Sequence, residues 1–263
     1  MSEIALSDAV TMEVAAPHVA VISINRPEAR NAVNVSVTQG IARAVESTES
    51  DDDIWAVVLT GRGGVSFSAG ADLNEVAAGR AMSLRTEDGG FAGFVNAGRD
   101  KPWIAAVEGF AVGGGLEIVL ACDMVVAAEH SLFGLPEVSR GLIAAAGGIY
   151  RLPRVLPRAI ALELIATGAQ LSAARALEFG MINRLVPREQ ALNAAIELAT
   201  SICANAPIAV RESLKVARVA LDFDDPTLRE LMREARERNE RTSDHNEGPR
   251  AFIEKRRPNW TGR

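Results

Sequence analysis

Short apolar runs alternate with stretches of helical spacing through the first half of the chain. Val19–Ile24 is mostly β-branched and ends shortly before Pro27, which cannot extend a strand ladder. Residues 33–49 repeat apolar side chains at the spacing of one helix face, although Gly40 interrupts them. Residues 54–60 form a nearly continuous apolar run, which is typical of a strand covered on both faces. This order predicts βα units around a mostly parallel sheet.

The order of strand, loop and helix is repeated around a glycine triplet. The last part of the chain is predicted to be helical. We expect strands at residues 103–107 and 123–127 on either side of a helix at residues 116–122. We therefore predict an α/β core over residues 1–200 and a C-terminal helical region over residues 201–263. The later elements are predicted to be helices at residues 159–166, 188–203, 207–220 and 227–241, a helix between the cap residue Ser172 and Gly180, and a short strand at residues 181–186.

The charge balance and the apolar pattern argue against several classes of partner. The 263 residues include 28 Lys and Arg against 34 Asp and Glu, a formal charge of −6, whereas a nucleic-acid-binding protein needs a basic face. The longest apolar stretch, residues 104–128, contains Glu108, Glu117 and Asp123, which would be costly inside a bilayer. The N-terminus lacks the pattern of a secretion signal. We expect a cytoplasmic protein that binds neither nucleic acid nor membranes.

The cysteines, histidines and serines exclude several kinds of site. Cys122 and Cys203 are far apart and without CxxC spacing, so we expect neither a disulfide framework nor a thiolate metal site. The three histidines have no metal-binding spacing. A serine hydrolase is disfavoured at Ser68, because Ser66 stands where the GxSxG motif requires glycine. We expect no bound metal.

Two glycine-rich stretches could hold an anion. In FSAGADLN, residues 67–74, Gly70 permits a tight turn and Asp72 can cap a following helix, so that amides near Ala71 could point outward at a positive helix end. In EGFAVGGGLEIVLACD, residues 108–123, three glycines before a helix leave the amides of Gly114 or Gly115 open to a ligand atom. The alternative for the first stretch is a plain turn between a strand and a helix.

Two glutamates lie next to these glycine-rich segments. Glu117 is one helical turn beyond Gly114 in an apolar helix, and Glu137 follows Pro136 in another apolar stretch. Burial of a carboxylate raises its pKa, which makes a glutamate usable as an acid or base near neutral pH. The two side chains could divide proton addition and water activation between them. The alternatives are that Glu117 pairs with an arginine and that Glu137 pairs with Arg140 or another surface cation.

These motifs resemble the enoyl-CoA hydratase/isomerase (crotonase) superfamily. The resemblance covers nearly the whole chain and implies an α/β spiral of ββα repeats with a helical C-terminal trimerisation region. It also implies a coenzyme A thioester as substrate, no separate cofactor, and an oxyanion hole formed by the amides of Ala71 and Gly114. The motifs are NRPEARNA, FSAGADL, AAVEGFAVGGGLEIVLACD, FGLPEVSRGLIAAAGGIYRLPR, LSAARALEFGMINRLVP and EGPRAFIEKRRPNW.

The resemblance implies further roles for individual residues. Glu117 would hold and activate the water that attacks the β-carbon, and Glu137 would exchange the proton at the α-carbon. Members with both glutamates hydrate 2-enoyl-CoA thioesters, so we predict an enoyl-CoA hydratase that forms a homotrimer or a dimer of trimers. The alternatives are an isomerase, a specialised acyl-CoA dehydratase or a noncatalytic acyl-CoA binding protein. Coenzyme A contacts are implied for the backbone around Ala69, Asp72 and Leu73 and for the cations Arg26, Arg30, Lys255 and Arg256.

The acyl group is left open by one departure from the family pattern and by one segment that varies in the family. Ala144 and Ala145 replace the Pro and Gly that many short-chain hydratases have in IPGAGGTQRL. Residues 75–96, which would form the wall of the acyl pocket, are rich in Gly and Ala with scattered charges.

Overall fold

The fold is taken from a computed structural model that describes residues 3–263. The strands are β1 (Ile4–Ser7), β2 (Val10–Ala16), β3 (Val19–Ile24), β4 (Ala56–Gly61), β5 (Ser66–Ser68), β6 (Arg85–Thr86), β7 (Gly90–Phe91), β8 (Trp103–Val107), β9 (Phe110–Val112), β10 (Met124–Ala128), β11 (Leu132–Gly134), β12 (Gln170–Ser172) and β13 (Arg184–Val186). The α-helices are α1 (Val35–Ser50), α2 (Leu73–Ala77), α3 (Gly114–Ala121), α4 (Gly148–Val155), α5 (Arg158–Thr167), α6 (Ala173–Glu178), α7 (Ala191–Cys203), α8 (Pro207–Arg218), α9 (Asp225–Glu240) and α10 (Ser243–Ile253).

The strands form two larger sheets that the chain visits alternately. The first sheet has the order β1-β2-β3-β4-β8-β10-β13 and is parallel from β3 onward. The second has the order β12-β11-β9-β5. In the pairs β4/β5, β8/β9 and β10/β11, the first strand joins the first sheet and the second strand joins the second sheet. Each pair is followed by helical structure, which is the predicted spiral of ββα repeats.

Alternate side chains of the first sheet enter two separate apolar clusters. Ile22, Leu59 and Ala105 belong to the larger cluster, which α1 also joins, whereas Val21 and Val58 pack with the buried face of α7. Both faces are therefore covered, because successive side chains of a strand point to opposite sides. This explains why the sequence of these strands is continuously apolar.

Asn31 ties the turn after β3 to the start of β5. Its side chain is fully buried, and its Nδ2 donates to the carbonyls of Arg62 (2.9 Å) and Ser66 (2.7 Å). Its Oδ1 accepts the amide of Arg26 (2.9 Å), and its carbonyl accepts the hydroxyl of Ser68 (2.8 Å). The residue has a left-handed φ of 56°, which asparagine tolerates better than most side chains. This network fixes the end of β5, where the first glycine-rich turn begins.

The C-terminal helices lie against one another and are tied to the core by arginines. Helices α8 and α9 pack together, and α10 contacts α9. Arg218 on α8 donates to both oxygens of Asp123 (2.7 and 2.9 Å), while Arg211 donates to the carbonyl of Ile54 (3.2 Å). The predicted boundary at residues 200/201 falls inside α7, which packs on the first sheet. The helical region of the structure therefore begins with α8.

The ends of several predicted elements differ from the structure. The strand predicted at residues 181–186 begins only at Arg184, because the preceding Asn183 uses its backbone amide and its side chain to bond the backbone of Val125. The hairpin β1–β2, the three-residue strands of the second sheet and the helices α4 and α10 were not predicted. Within residues 3–263, no helix has the length and apolar character needed to span a bilayer.

Candidate active site

One cavity brings both glycine-rich turns and both glutamates together. Its volume is about 530 Å³. Its walls come from the ends of β5 and β9, from α3, from the turn that carries Glu137, and from the segment between α2 and β7. The predicted site residues that line it are Arg30, Ala69, Ala71, Leu73, Gly114, Glu117 and Glu137.

The first turn leaves the amide of Ala71 without an acceptor. The preceding amide, Gly70, donates to the hydroxyl of Ser68 (3.2 Å), and the following amide, Asp72, donates to the carbonyl of Val33 (2.9 Å). Within residues 3–263, the amide of Ala71 has no such bond. Asp72 caps α2 as predicted by accepting the amide of Asn74 (3.1 Å). The turn thus contains one amide with no acceptor among the described residues, on a residue that lines the cavity.

The second turn places a further free donor beside the first. Gly113 has φ 57° and ψ −131°, a conformation available essentially to glycine alone. Gly114 is the first residue of α3, and the first amides of a helix have no acceptor within the helix. A Cβ on Gly70 would lie 2.7 Å from the nitrogen of Gly114. The amides of Ala71 and Gly114 therefore sit on two turns whose backbones are in direct contact.

Phe91 closes the outer side of this contact. A Cβ on Gly114 would lie 2.5 Å from the Cε1 atom of Phe91, whose ring is itself buried. Glycine is consequently required at position 114 for space, and at position 70 both for space and for its φ of 85°. Because positions 70 and 114 are glycines, no side chain of either residue lies between the amides of Ala71 and Gly114.

Glu117 is held by two backbone amides. Its side chain is buried, and its Oε1 accepts the amides of Ala146 (2.7 Å) and Gly148 (2.9 Å). Burial raises the pKa of this carboxyl, while the two amide bonds work in the opposite direction. Among residues 3–263 no arginine lies within ion-pair distance of it, so the alternative of a Glu117–arginine pair is wrong.

The carboxyl of Glu137 has less hydrogen-bond support than the carboxyl of Glu117. It lies in a short 3₁₀ helix, Pro136–Arg140, and its Oε2 is buried with no hydrogen-bond partner within the described chain. A Cβ on Gly113 would lie 3.2 Å from its Oε1, so this carboxyl faces the second turn. Burial is the main cause of its raised pKa, and the charge of Glu117 raises it further. The alternative of an ion pair with Arg140 is not found within the described residues.

Not all predicted binding residues reach the cavity. Asp72 does not line it, and its carboxylate is occupied by Arg26 (3.1 Å) as well as by the helix cap. Arg256 is bonded to Glu247 and Glu254 on the C-terminal helical region. Of the four predicted cations, Arg26, Arg30, Lys255 and Arg256, the cavity of this chain includes Arg30.

Two arginines were missed by the sequence analysis. Arg151 donates to the carbonyls of Ala146 (3.0 Å) and Val95 (2.6 Å), and thereby holds the loop that binds Glu117. Arg85 lies on β6 and lines the cavity. The motif GGIYRLPR contained Arg151 without indicating its contacts, and Arg85 stands in a segment with no recognisable pattern.

Comparisons with known proteins agree on one family. The sequence profile described as Enoyl-CoA hydratase/isomerase matches residues 15–263. A carnitinyl-CoA dehydratase of Salmonella arizonae is 37% identical over 246 residues, which are 92% of this chain and 94% of that protein.

Solved structures show the same architecture. A crystal structure of enoyl-CoA hydratase from Mycobacterium tuberculosis H37Rv is 42% identical and superposes with a TM-score of 0.92, covering 97% of this chain and 99% of that one. A carnitinyl-CoA hydratase from Mycobacterium avium is 45% identical with a TM-score of 0.75, covering 97% and 99%. The predicted α/β spiral with a helical C-terminal region is confirmed.

Gly70→Ala is expected to destabilise the protein more than Gly180→Ala. Both glycines have positive φ, but nothing lies within 4 Å of a Cβ on Gly180, whereas a Cβ on Gly70 meets the backbone of Gly114. The difference between the free energies of unfolding of the two variants isolates the steric contact, and overpacking of this kind costs about 1–3 kcal/mol. Urea unfolding of both variants measures this difference. Equal losses of stability would show that the two turns are not in contact.

Glu117→Gln is expected to lower the pKa of Glu137. The substitution removes the negative charge that raises this pKa, while burial continues to hold it above its ordinary value. A ¹³C NMR titration of proteins labelled at the glutamate carboxyl carbons measures the shift, with Glu137→Gln to assign the signal. Glu163→Gln, at an exposed position on α5, is the control. A Glu137 pKa that is the same in Glu117→Gln and in the parent would contradict the electrostatic coupling.

Proposed function

The chain belongs to the enoyl-CoA hydratase/isomerase family, and we propose from this premise that it adds water reversibly to a trans-2-enoyl-CoA thioester. The product would be a 3-hydroxyacyl-CoA. The observation that carries the proposal is that one cavity is lined by a buried carboxyl, Glu117, a half-buried carboxyl, Glu137, and two backbone amides with no acceptor among residues 3–263. Hydration needs one group to activate water, one to supply a proton, and donors for the oxygen that becomes negative.

The two amides are assigned to the thioester oxygen. As water adds to the β-carbon, negative charge moves onto this oxygen, and an enolate forms. Donors already fixed in place stabilise that charge without reorganising, and loss of one such donor in other enzymes costs roughly 3–4 kcal/mol. Ala71 and Gly114 fit this requirement because neither amide must break a hydrogen bond with any of residues 3–263 to receive the oxygen.

The two glutamates are assigned to opposite proton transfers. Glu117 accepts two amide hydrogen bonds, which favour its ionised form, so it takes a proton from the attacking water. Among the described residues, one oxygen of Glu137 has no hydrogen-bond partner, and the negative charge of Glu117 raises the pKa of Glu137. Both conditions favour the protonated form of Glu137, so we assign to it the delivery of a proton to the α-carbon. Exchange with solvent then returns both carboxyls to their starting states. Different surroundings thus separate the roles of two identical side chains.

The same residues can run the reaction in reverse. Relatives named carnitinyl-CoA dehydratase and carnitinyl-CoA hydratase support this direction, because removal of water from a 3-hydroxyacyl thioester uses the same two proton transfers. A specialised dehydratase is therefore our second candidate function. An isomerase moves a proton between carbons without adding water. That reaction does not require a second carboxyl to hold a water molecule. Two carboxyls at one cavity favour hydration or dehydration.

We also propose a homotrimer or a dimer of trimers. The helical region exposes large apolar side chains that a monomer would leave in water, including Phe252 and Ile253, which are 86% and 78% exposed. Apolar side chains that form a contiguous exposed surface are typical of subunit interfaces, and burial of Phe252 and Ile253 between subunits would remove them from water. The cytoplasm stays our proposed location, on the grounds of the sequence.

Loss of the conjugated thioester absorbance on mixing with crotonyl-CoA tests the proposal. The parent protein is expected to give 3-hydroxybutyryl-CoA, identified by mass spectrometry. Glu117→Gln and Glu137→Gln are each expected to lower kcat by roughly 10²–10⁴-fold, because each removes one proton transfer. Glu163→Gln is the matched control and should turn over at the parental rate.

Binding measurements separate this proposal from a noncatalytic role. Calorimetry with butyryl-CoA, which cannot be hydrated, should give similar affinities for the parent and both glutamine variants. Glutamine variants that turn over as fast as the parent would contradict the assigned roles. A parent that binds enoyl thioesters and leaves them unchanged would identify an acyl-CoA binding protein.

A further inference from the structure

The cavity carries more positive charge than the proposed chemistry uses. Besides the two glutamates, three arginines line it: Arg30, Arg85 and Arg140. Arg85 belongs to the short hairpin of β6 and β7, and its side chain forms neither an ion pair nor a hydrogen bond with any residue in the range 3–263. Its acidic neighbours Glu87 and Asp88 do not line the cavity. The guanidinium is consequently available to a ligand.

Arg85 and Arg30 occupy different parts of the cavity wall. The carbonyl of Arg30 accepts the amide of Ala69 (3.0 Å), so Arg30 is bonded to the turn to which we assign the thioester oxygen. Arg85 instead extends from the wall that includes Leu84 and Phe91. Its positive charge acts on Glu117, where it opposes the rise in that carboxyl's pKa. Arg85 on β6 and Glu117 on α3 line the same cavity, so an acyl chain that extends past Glu117 shares this cavity with the guanidinium.

A cation at this position distinguishes acyl chains by their charge. A guanidinium presents several N–H donors in a planar fork that matches a carboxylate, and such charge-assisted pairs are stronger than neutral hydrogen bonds. The same guanidinium repels a quaternary ammonium group, which has no lone pair or N–H to offer. An acyl chain that ends in a methyl group gains nothing from the arginine's charge.

We propose that Arg85 is a specificity-determining residue that favours enoyl-CoA substrates whose acyl chain carries a carboxylate and disfavours those that carry a quaternary ammonium group. This inference rests on the proposed hydratase function and names its substrate class. Arg85 acts on the remote end of the acyl group and takes no part in the proton transfers. Substrates without charge on the acyl chain are accepted independently of it.

Three thioesters of similar acyl length and different charge test this inference. They are crotonyl-CoA, which is neutral; glutaconyl-CoA, which has a terminal carboxylate; and 4-trimethylammonio-2-butenoyl-CoA. The parent is expected to have a kcat/KM for glutaconyl-CoA at least ~10-fold above that for the ammonium substrate, since one hydrogen bond to a charged group is worth about tenfold or more. The rates are measured by loss of the conjugated thioester absorbance.

Arg85→Met removes the charge and keeps much of the side-chain length. It is expected to lower kcat/KM for glutaconyl-CoA by ~10-fold or more and to raise it for the ammonium substrate, with crotonyl-CoA changed by less than about threefold. Arg85→Glu should reverse the preference. Arg80→Met is the matched control, because Arg80 lies on the same segment but pairs with Glu75 (2.6 Å) and does not line the cavity.

The outcomes separate this inference from the proposed function. Equal changes for all three substrates in Arg85→Met, or an unchanged preference, would overturn the role of Arg85 while leaving hydration intact. A parent that hydrates none of them would overturn the proposed function. In that case, calorimetry with the saturated glutaryl-CoA and butyryl-CoA still measures the charge preference, and a ratio of affinities that Arg85→Met leaves unchanged would overturn the inference by itself.

Discussion

The contact between the backbones of Gly70 and Gly114 is the constraint on which the rest of the site depends. A methyl group at position 70 would lie 2.7 Å from the nitrogen of Gly114, which is closer than the two backbones allow. Because the two turns touch, the amides of Ala71 and Gly114 lie on neighbouring backbone segments, as our proposal of one shared oxygen atom requires. The spiral of repeats explains how this happens, since β5 and β9 are parallel neighbours in the second sheet and each ends at one of the two turns.

The carboxyls are supported in a different manner from the amides. Glu117 depends on the loop that supplies the amides of Ala146 and Gly148, and Arg151 holds this loop to the segment that ends at Val95. Among the described residues, Oε2 of Glu137 has no hydrogen-bond partner, and burial and the charge of Glu117 raise the pKa of this carboxyl.

The sequence predicted those parts of the molecule that have a local pattern. The strand Val19–Ile24 and the cap Asp72 followed from residue order alone, and both are found in the structure. The fold family and the paired glutamates were recognised from motifs. The three-residue strands of the second sheet were not predicted, because so short a run has no period. The position of Arg85 was missed for another reason: its contact with the cavity is set by the tertiary fold, and nothing in its neighbours indicates it.

The central claim is that two adjacent turns polarise a thioester carbonyl. Isotope-edited infrared spectroscopy of crotonyl-CoA, labelled with ¹³C at the thioester carbonyl and bound to Glu117→Gln, measures this polarisation directly. The carbonyl stretch of the bound thioester is expected at a lower wavenumber than in water, and adding Gly70→Ala is expected to abolish the shift. A bound carbonyl that absorbs at the same wavenumber as in water would contradict the claim.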